Sequence, residues 1–395
     1  VSVKRDMGDI MAELQDRRAA PITRIEAQAF RVPIDVPVAT SFGIMRDRPA
    51  VFLRIEDRDG CYGWGEVFAN WPAAGAEHRV ALLERDIAGL VLGQEAAAPE
   101  AFFLRLSAQT RIRAVQCGEP GPFDQVIAGL DIALWDLVAR RAGRPLRQML
   151  RKGAPASVPT YASGIAIDAA DQLIPVAQEA GFGMFKVKVG FGQGDAEALL
   201  ALKERLPATA MLCADANQAW DLPQALSFVQ ALAGTGLGWL EEPLPVFAPS
   251  GEWAALARAT GVALAGGENI VGDPAFDAVL EAGALQVIQP DVVKWGGISG
   301  CFGVAKRALA KQRRYCPHFL GGGIGLAASG AVLAAAGGDG MLEVDVNPNP
   351  LRSAFDGQGG VLEAGQWRVG DEPGLGIKAL PEALGRYRTA SVECH

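Results

Sequence analysis

The chain has 395 residues, half of them apolar, and a net charge of −8. That length exceeds one average domain and that apolar content fills a sizeable core, so two globular domains are expected and a disordered chain is excluded. The acidic balance and the lack of a long Lys/Arg run weigh against a nucleic-acid partner. The longest small-apolar run, Ala327 to Ala336, falls well short of the roughly 20 residues of a membrane span. Six cysteines (Cys61, Cys117, Cys213, Cys301, Cys316 and Cys394) show neither CxxC pairing nor regular spacing, as in a protein with reduced thiols. With no stretch resembling a signal peptide, a cytoplasmic location is expected.

Residues 1–21 read as an N-terminal extension. Ile22–Pro33 and Ala50–Glu56 alternate as strands do, and Gly60–Glu66 follows an Asp59–Gly60 turn as a third strand. Helical stretches follow at Glu77–Leu92, Glu100–Leu106 and Phe123–Arg141, the last stopped by Gly143 and Pro145. Residues 22–150 therefore read as an α+β unit.

After Pro155 short apolar strands alternate with helical spacers: Ser157–Gly164, Met184–Gly190, Met211–Asp215, Trp239–Glu242, Ala263–Glu268, Leu285–Pro290, Arg314–Pro317 and Met341–Asp345. Eight such units predict an α/β fold, a parallel barrel over 151–365. Residues 366–395 leave the barrel to complete the first unit, and strand-like Gln366–Val369 is expected to make the return.

One charged group recurs at the C-terminal end of each strand from the second to the eighth. Lys188 to Asp215 is 27 positions, Asp215 to Glu241 is 26, Glu241 to Glu268 is 27, Glu268 to Asp291 is 23, Asp291 to His318 is 27 and His318 to Glu343 is 25. Strand C-termini are where a barrel gathers its catalytic side chains. Asp215, Glu241 and Glu268 are three converging carboxylates behind apolar residues, which repel unless a cation neutralises them. An all-oxygen trio suits Mg²⁺. Glu241 and Glu242 are adjacent, so only one faces the axis, and the pattern alone leaves open which.

Lys186 and Lys188 lie two apart on one strand, hence on one face, and the apolar Phe185, Val187 and Val189 claim the other. Two close ammonium groups are expected to lower each other's pKa and make a lysine base. Across the site, Asp291 is placed to fix the tautomer of His318 and raise its basicity.

Together these motifs resemble the enolase superfamily, specifically its mandelate racemase subgroup. The resemblance covers the chain from about residue 22 and implies a capping domain followed by a (β/α)7β TIM-like barrel. It implies Lys186-Val-Lys188 as the Lys-x-Lys of the second strand, and Asp215, Glu241 and Glu268 as ligands of one Mg²⁺ per subunit, with the first glutamate of Glu-Glu-Pro preferred. Asp291 and His318 match the His–Asp dyad, and Glu343 a glutamate that contacts the substrate carboxylate. Relatives resembling muconate-lactonizing enzyme carry a lysine where this chain has Asp291; Lys294, three residues on, is read as a neighbour rather than as that lysine. A Lys or His base with Mg²⁺ is the superfamily's habit.

The implied reaction is abstraction of the α-proton of a carboxylate by Lys188, then loss of water with His318 as acid: an acid-sugar dehydratase. A racemase of a 2-hydroxy acid uses the same residues, and a catalytically silent binding barrel is the alternative of another class. Substrate choice is expected in two turn-rich loops, Pro37–Met45 and Phe68–Glu77. Their candidates are Thr40, Ser41, Asn70, Trp71 and His78 beside Phe42, with Tyr161 and Asn217 added from the barrel. The glycines Gly321–Gly325 are expected to offer backbone N–H groups to the distal end of the substrate. The expected partners are a small carboxylate and further copies of the chain in a homo-oligomer, with no membrane.

Overall fold

The computed structural model describes residues 20–41, 43–192 and 194–395. Nearly all of the expected extension, and Phe42, lie outside these residues. The N-terminal sheet runs in the order β14-β1-β2-β3, with β1 Ile22–Thr40, β2 Gly43–Asp57, β3 Tyr62–Val67 and β14 Arg388–Cys394. The β1–β2 ladder continues to Thr40 opposite Gly43, so the expected Pro37–Met45 loop is the tip of a long hairpin. The helix expected over Glu77–Leu92 is split: α1 Gly75–Leu82 passes into a π turn at Leu83–Ile87 and ends at Val91. The next helix, α2 Pro99–Gln116, runs well past Leu106.

Helix α3, Pro120–Arg141, starts with Pro at its first turn, where no N–H is needed, and is buried over most of its length. It lies backbone to backbone on β3. Gly63 and Gly65 share one face of β3, and a Cβ on either would meet Ala133 O or Gly129 O at 2.0 Å. Those alternate glycines turn Trp64 and Glu66 to the other face.

The barrel strands are β4 Ser157–Ala166, β5 Met184–Lys188, β6 Met211–Asp215, β7 Leu240–Glu241, β8 Leu264–Gly266, β9 Val287–Ile288, β10 Arg314–Tyr315 and β11 Leu342–Asp345. They pair in parallel from β4 through to β10, and β11 pairs with the other edge of β4. Between β10 and β11 no ladder is found among the described residues; Met341 N–H, just before β11, donates to Cys316 Sγ, just after β10, at 3.4 Å. The fold is a (β/α)7β TIM-like barrel with an α+β capping domain. Gln366–Val369 pairs antiparallel with β4 rather than joining the first sheet; the returning strand is β14, on β1. Its distance from β1 in the chain hid it, since only an alternating pattern marks an edge strand.

Inside the barrel Tyr161, Met184, Cys213, Trp239, Ala265, Val287 and Cys316 form an apolar floor, one residue in or next to each strand from β4 to β10. All six cysteines are free. Among the described residues no helix is long and apolar enough to cross a membrane.

Candidate active site

Because a strand returns to the same face every second residue, the residue two beyond each floor position stands one layer nearer the barrel mouth. Those residues are Ser163 over Tyr161, Lys186 over Met184 with Lys188 a further two on, Asp215 over Cys213, Glu241 over Trp239, Gly267 over Ala265, Gln289 over Val287 and His318 over Cys316. The floor thus sets the register of the chemistry above it.

On one wall the lysines and acids interlock. Lys188 opposes Asp215 and Asp215 opposes Glu241 in the ladder. Lys188 Nζ donates to Asp215 Oδ2 at 2.5 Å. Lys186 Nζ donates to Glu241 Oε1 at 2.6 Å and pairs with Glu343 Oε1 at 2.7 Å. The second oxygen of Glu241 accepts from Gln289 Nε2 at 2.7 Å. Glu241 is therefore the glutamate facing the axis; Glu242 turns away, at φ 37°, to accept from Asn269 Nδ2 at 2.8 Å. Asn217 braces Asp215, its backbone N–H donating to Oδ1 at 2.8 Å.

The expected mutual lowering of the lysines is outweighed here. Burial pulls Lys188 down and Lys186 adds to that, but Asp215 holds it above its ordinary value. Burial likewise opposes charge on Lys186, yet Glu241 and Glu343 hold it well above. A carboxylate at hydrogen-bond distance beats a second ammonium further off.

On the other wall His318 Nδ1 meets Asp291 Oδ2 at 2.7 Å and Nε2 meets Glu268 Oε2 at 2.8 Å. Burial disfavours the imidazolium, but Glu268, Glu343 and the Asp291 hydrogen bond raise its pKa well above the usual histidine value. Lys294 joins this wall, 3.4 Å from Glu268 Oε2 and donating to Asn269 Oδ1 at 2.7 Å. Glu343 lies beneath, accepting from Ser163 Oγ at 2.5 Å and from Phe319 N–H at 2.9 Å. Burial opposes its charge, but Lys186 and His318 hold it down at about 2.

A cavity of about 570 Å³ opens above, lined by Lys188, Glu268, Asn269, Lys294 and His318 together with Arg48, Asn70, Trp71, Asn217 and Asp345. The size falls in the range of small-molecule sites, ~300–1,000 Å³. Of the expected substrate contacts, Thr40, Asn70, Trp71 and Asn217 line it. Three do not. Ser41 donates to Asn217 O at 2.6 Å, tying the hairpin tip to the barrel. His78 sits half-exposed against Glu119 at 3.3 Å. Tyr161 is a floor residue, one layer too deep, its ring edge-on to Trp239 at 5.1 Å. Nor are the N–H groups of Gly322 and Gly325 free: they donate to Glu66, at 2.6 and 2.8 Å. Glu66, Arg48 and Asp345 were not anticipated, because nothing local to them in sequence marks a site.

The trio is not gathered as a ready cage: among the described residues no three His, Cys, Asp or Glu side chains are grouped to hold a metal. Each acid turns to a neighbouring cation instead. The charge is nonetheless unbalanced, since the inward-facing acids Asp215, Glu241, Glu268, Asp291 and Glu343 exceed Lys186, Lys188, Lys294 and His318 by one. Burial, against the pull of Lys186 and aided by Asp215, pushes Glu241 up to about 7. Burial and Glu268 push Glu242 well above its ordinary value. An all-oxygen set with more acid than cation around it fits a hard divalent cation held by Asp215, Glu241 and Glu268.

Residues 24–151 match the mandelate racemase/muconate lactonizing enzyme N-terminal domain family, and residues 168–383 the enolase C-terminal domain-like family. D-galactarolactone cycloisomerase of Agrobacterium fabrum is 29% identical over 93% of this chain and 98% of its own. L-talarate/galactarate dehydratase of Salmonella typhimurium is 31% identical over 68% of this chain and 67% of its own. Among solved structures, a mandelate racemase/muconate lactonizing enzyme from Bordetella bronchiseptica superposes with TM-score 0.86 at 45% identity, covering 94% of this chain and all of that one. A racemase from Streptomyces coelicolor with bound magnesium gives 0.83 at 27%, over 93% of this chain and all of that one. The chain is an enzyme of the enolase superfamily and belongs to its mandelate racemase subgroup.

Proposed function

We propose that the chain is a Mg²⁺-dependent lyase that removes the α-proton of an acid sugar and expels the oxygen on the next carbon as water. The observation that carries this reading is that Lys188 and His318, from strands well apart around the barrel, line one cavity with Glu268 between them.

The chemistry a divalent cation supplies when held by Asp215, Glu241 and Glu268 is polarisation of the substrate carboxylate, which acidifies the adjacent C–H. With Asp215 so engaged, burial and Lys186 are left to lower Lys188 toward a usable base. Neutral Lys188 Nζ then takes the α-proton. Lys186, held by Glu343, stays an ammonium and faces the growing negative charge on the carboxylate. His318, kept protonated by its acidic neighbours and oriented through Nδ1 by Asp291, donates from Nε2 to the departing hydroxyl. The C–H pair becomes the C=C bond of an enol, water leaves, and the enol relaxes to a 2-keto acid.

A second reading keeps the same residues but lets the leaving oxygen belong to a ring; similarity to a cycloisomerase along nearly the whole chain supports it. The test is to strip the enzyme with chelator, restore Mg²⁺, and screen acid sugars and their lactones for 2-keto acid or ring opening in D₂O. Metal-dependent elimination is expected. Deuterium entering the α-position with no elimination from any substrate would turn the reading to a racemase, and activity indifferent to chelation would overturn the metal assignment.

A further inference from the structure

The capping sheet contributes one buried cation to the cavity wall. Arg48 lies on β2 with its side chain 5% exposed, and its Nη2 is 2.9 Å from Asp345 Oδ2 at the end of β11. That same oxygen is 3.5 Å from Nη1 of Arg352, on the short helix Pro350–Ser353. Two guanidiniums therefore share one carboxylate. The remaining oxygen of Asp345 is taken by Asn347, through its N–H at 2.9 Å and its Nδ2 at 2.8 Å. Arg48 Nε and Asp345 Oδ2, both buried, have no hydrogen-bond partner among the described residues, so charge rather than an aligned hydrogen bond holds the pair. A buried ion cluster with one cation in excess is costly unless another anion completes it. No further acid of the chain is paired with either arginine among the described residues, and Arg48 and Asp345 both open on the cavity that holds Lys188 and His318.

We infer that Arg48 binds a second, distal anion of the substrate, so that the acid sugar is a diacid with one carboxylate at the metal trio and the other at Arg48. A guanidinium presents paired N–H donors that match a carboxylate. The surplus of a single charge matches a carboxylate better than a phosphate dianion. Gln125 and Asn70 also line the cavity and offer amide donors to the hydroxyls between the two ends.

The inference rests on the acid-sugar reading, and the test separates the two. The Mg²⁺-loaded enzyme is assayed with a sugar diacid, with the matching monoacid ending in a hydroxymethyl group, and with that monoacid phosphorylated at its terminus. The wild type is expected to favour the diacid by about 10²-fold in kcat/KM, the scale of charged hydrogen bonds. Arg48→Lys keeps the charge but not the fork and should lose most of that preference through KM. Removing Arg48 alone would strand Asp345, so the paired variant Arg48→Gln/Asp345→Asn keeps the cluster free of an orphan carboxylate; its melting temperature reports folding. In it the preference should fall to a few-fold. Equal turnover of diacid and monoacid by the wild type, or a preference unchanged in both variants, overturns the inference, and so does a phosphorylated monoacid outperforming the diacid. If no acid sugar of any kind exchanges its α-proton in D₂O, the acid-sugar reading itself has failed.

Discussion

The two walls of the cavity are built differently. The lysine wall follows strand register: Lys188, Asp215 and Glu241 are ladder neighbours on β5, β6 and β7, and Lys186 stands one inward position below Lys188. The dyad wall rests on strands of two residues each, β9 and β10, and Asp291 and His318 lie in the loops beyond. What steadies those loops comes from the capping domain. Asp131 on α3 accepts from Ser299 N–H at 2.9 Å and Oγ at 2.6 Å, in the first turn of the helix Gly297–Ala310 that follows β9. Glu66 on β3 does the same for Gly322 and Gly325, at the start of the helix Gly323–Ala336 that follows β10. Each carboxylate meets otherwise unpaired helix N–H groups and the positive end of the helix dipole. One proton-transfer group is thus placed mainly by strand register, with a single cap contact from Ser41 to Asn217; the other depends on two carboxylates of the cap.

The largest effects should come from dividing the walls chemically. Lys188→Ala is expected to cut turnover by about 10²–10⁴-fold, the range of a general base, and to abolish exchange of the α-proton in D₂O. His318→Asn should cut turnover comparably yet leave exchange measurable, because the first proton still goes to Lys188. Mass spectrometry of recovered substrate reads the difference. If the histidine variant lost exchange as fully as the lysine variant, the two walls would not have separate roles.

A smaller effect tests the clasps. Glu66→Gln and Asp131→Asn touch no cavity residue, yet each should lower kcat on the order of tenfold with little change in KM, through misplacement of the dyad. Stability should respond to pH as well. Burial, against the backbone hydrogen bonds, pushes Glu66 up to about 7 from 4.5. Burial, against the Ser299 hydrogen bonds, pushes Asp131 up to about 7 from 3.8. The folded state therefore holds protons that the unfolded chain releases. Their stabilising contribution is full below about pH 4 and is lost as the pH rises to about 7. The loss is on the order of 3 kcal/mol for each. Urea titrations between pH 5 and 7.5 should show a flatter profile in each variant than in the wild type, and parallel profiles would contradict this account.

That contrast also explains what could be read from the chain. The lysine wall was legible because its pattern is local: two lysines at period two, and acids behind apolar runs at barrel spacing. Glu241 over Glu242 needed the family resemblance, and the packing shows why, since Trp239 beneath fixes which glutamate continues the inward face. Glu66 and Asp131 act on helices 256 and 168 residues away, and no local pattern encodes such a pairing. Gln366–Val369 failed for the same reason, its partner in β4 being set by tertiary packing. The glycines after His318 were expected to meet the distal end of the substrate, but Gly322 and Gly325 meet the chain's own Glu66.

The smallest effect concerns Tyr161, expected at the substrate and found on the floor. Its hydroxyl is buried without a hydrogen-bond partner among the described residues, while its ring supports Lys186, whose Nζ stands 5.6 Å from the centroid. Tyr161→Phe keeps the ring and removes the unsatisfied hydroxyl. It should raise stability by about 1 kcal/mol, the lower end of what an unpaired buried group costs, and leave KM unchanged. A substrate contact would give the opposite pair of results, a higher KM with no gain in melting temperature. Since the floor holds both walls in register, a drop in kcat at unchanged KM would mean instead that the hydroxyl helps to set the position of Lys186.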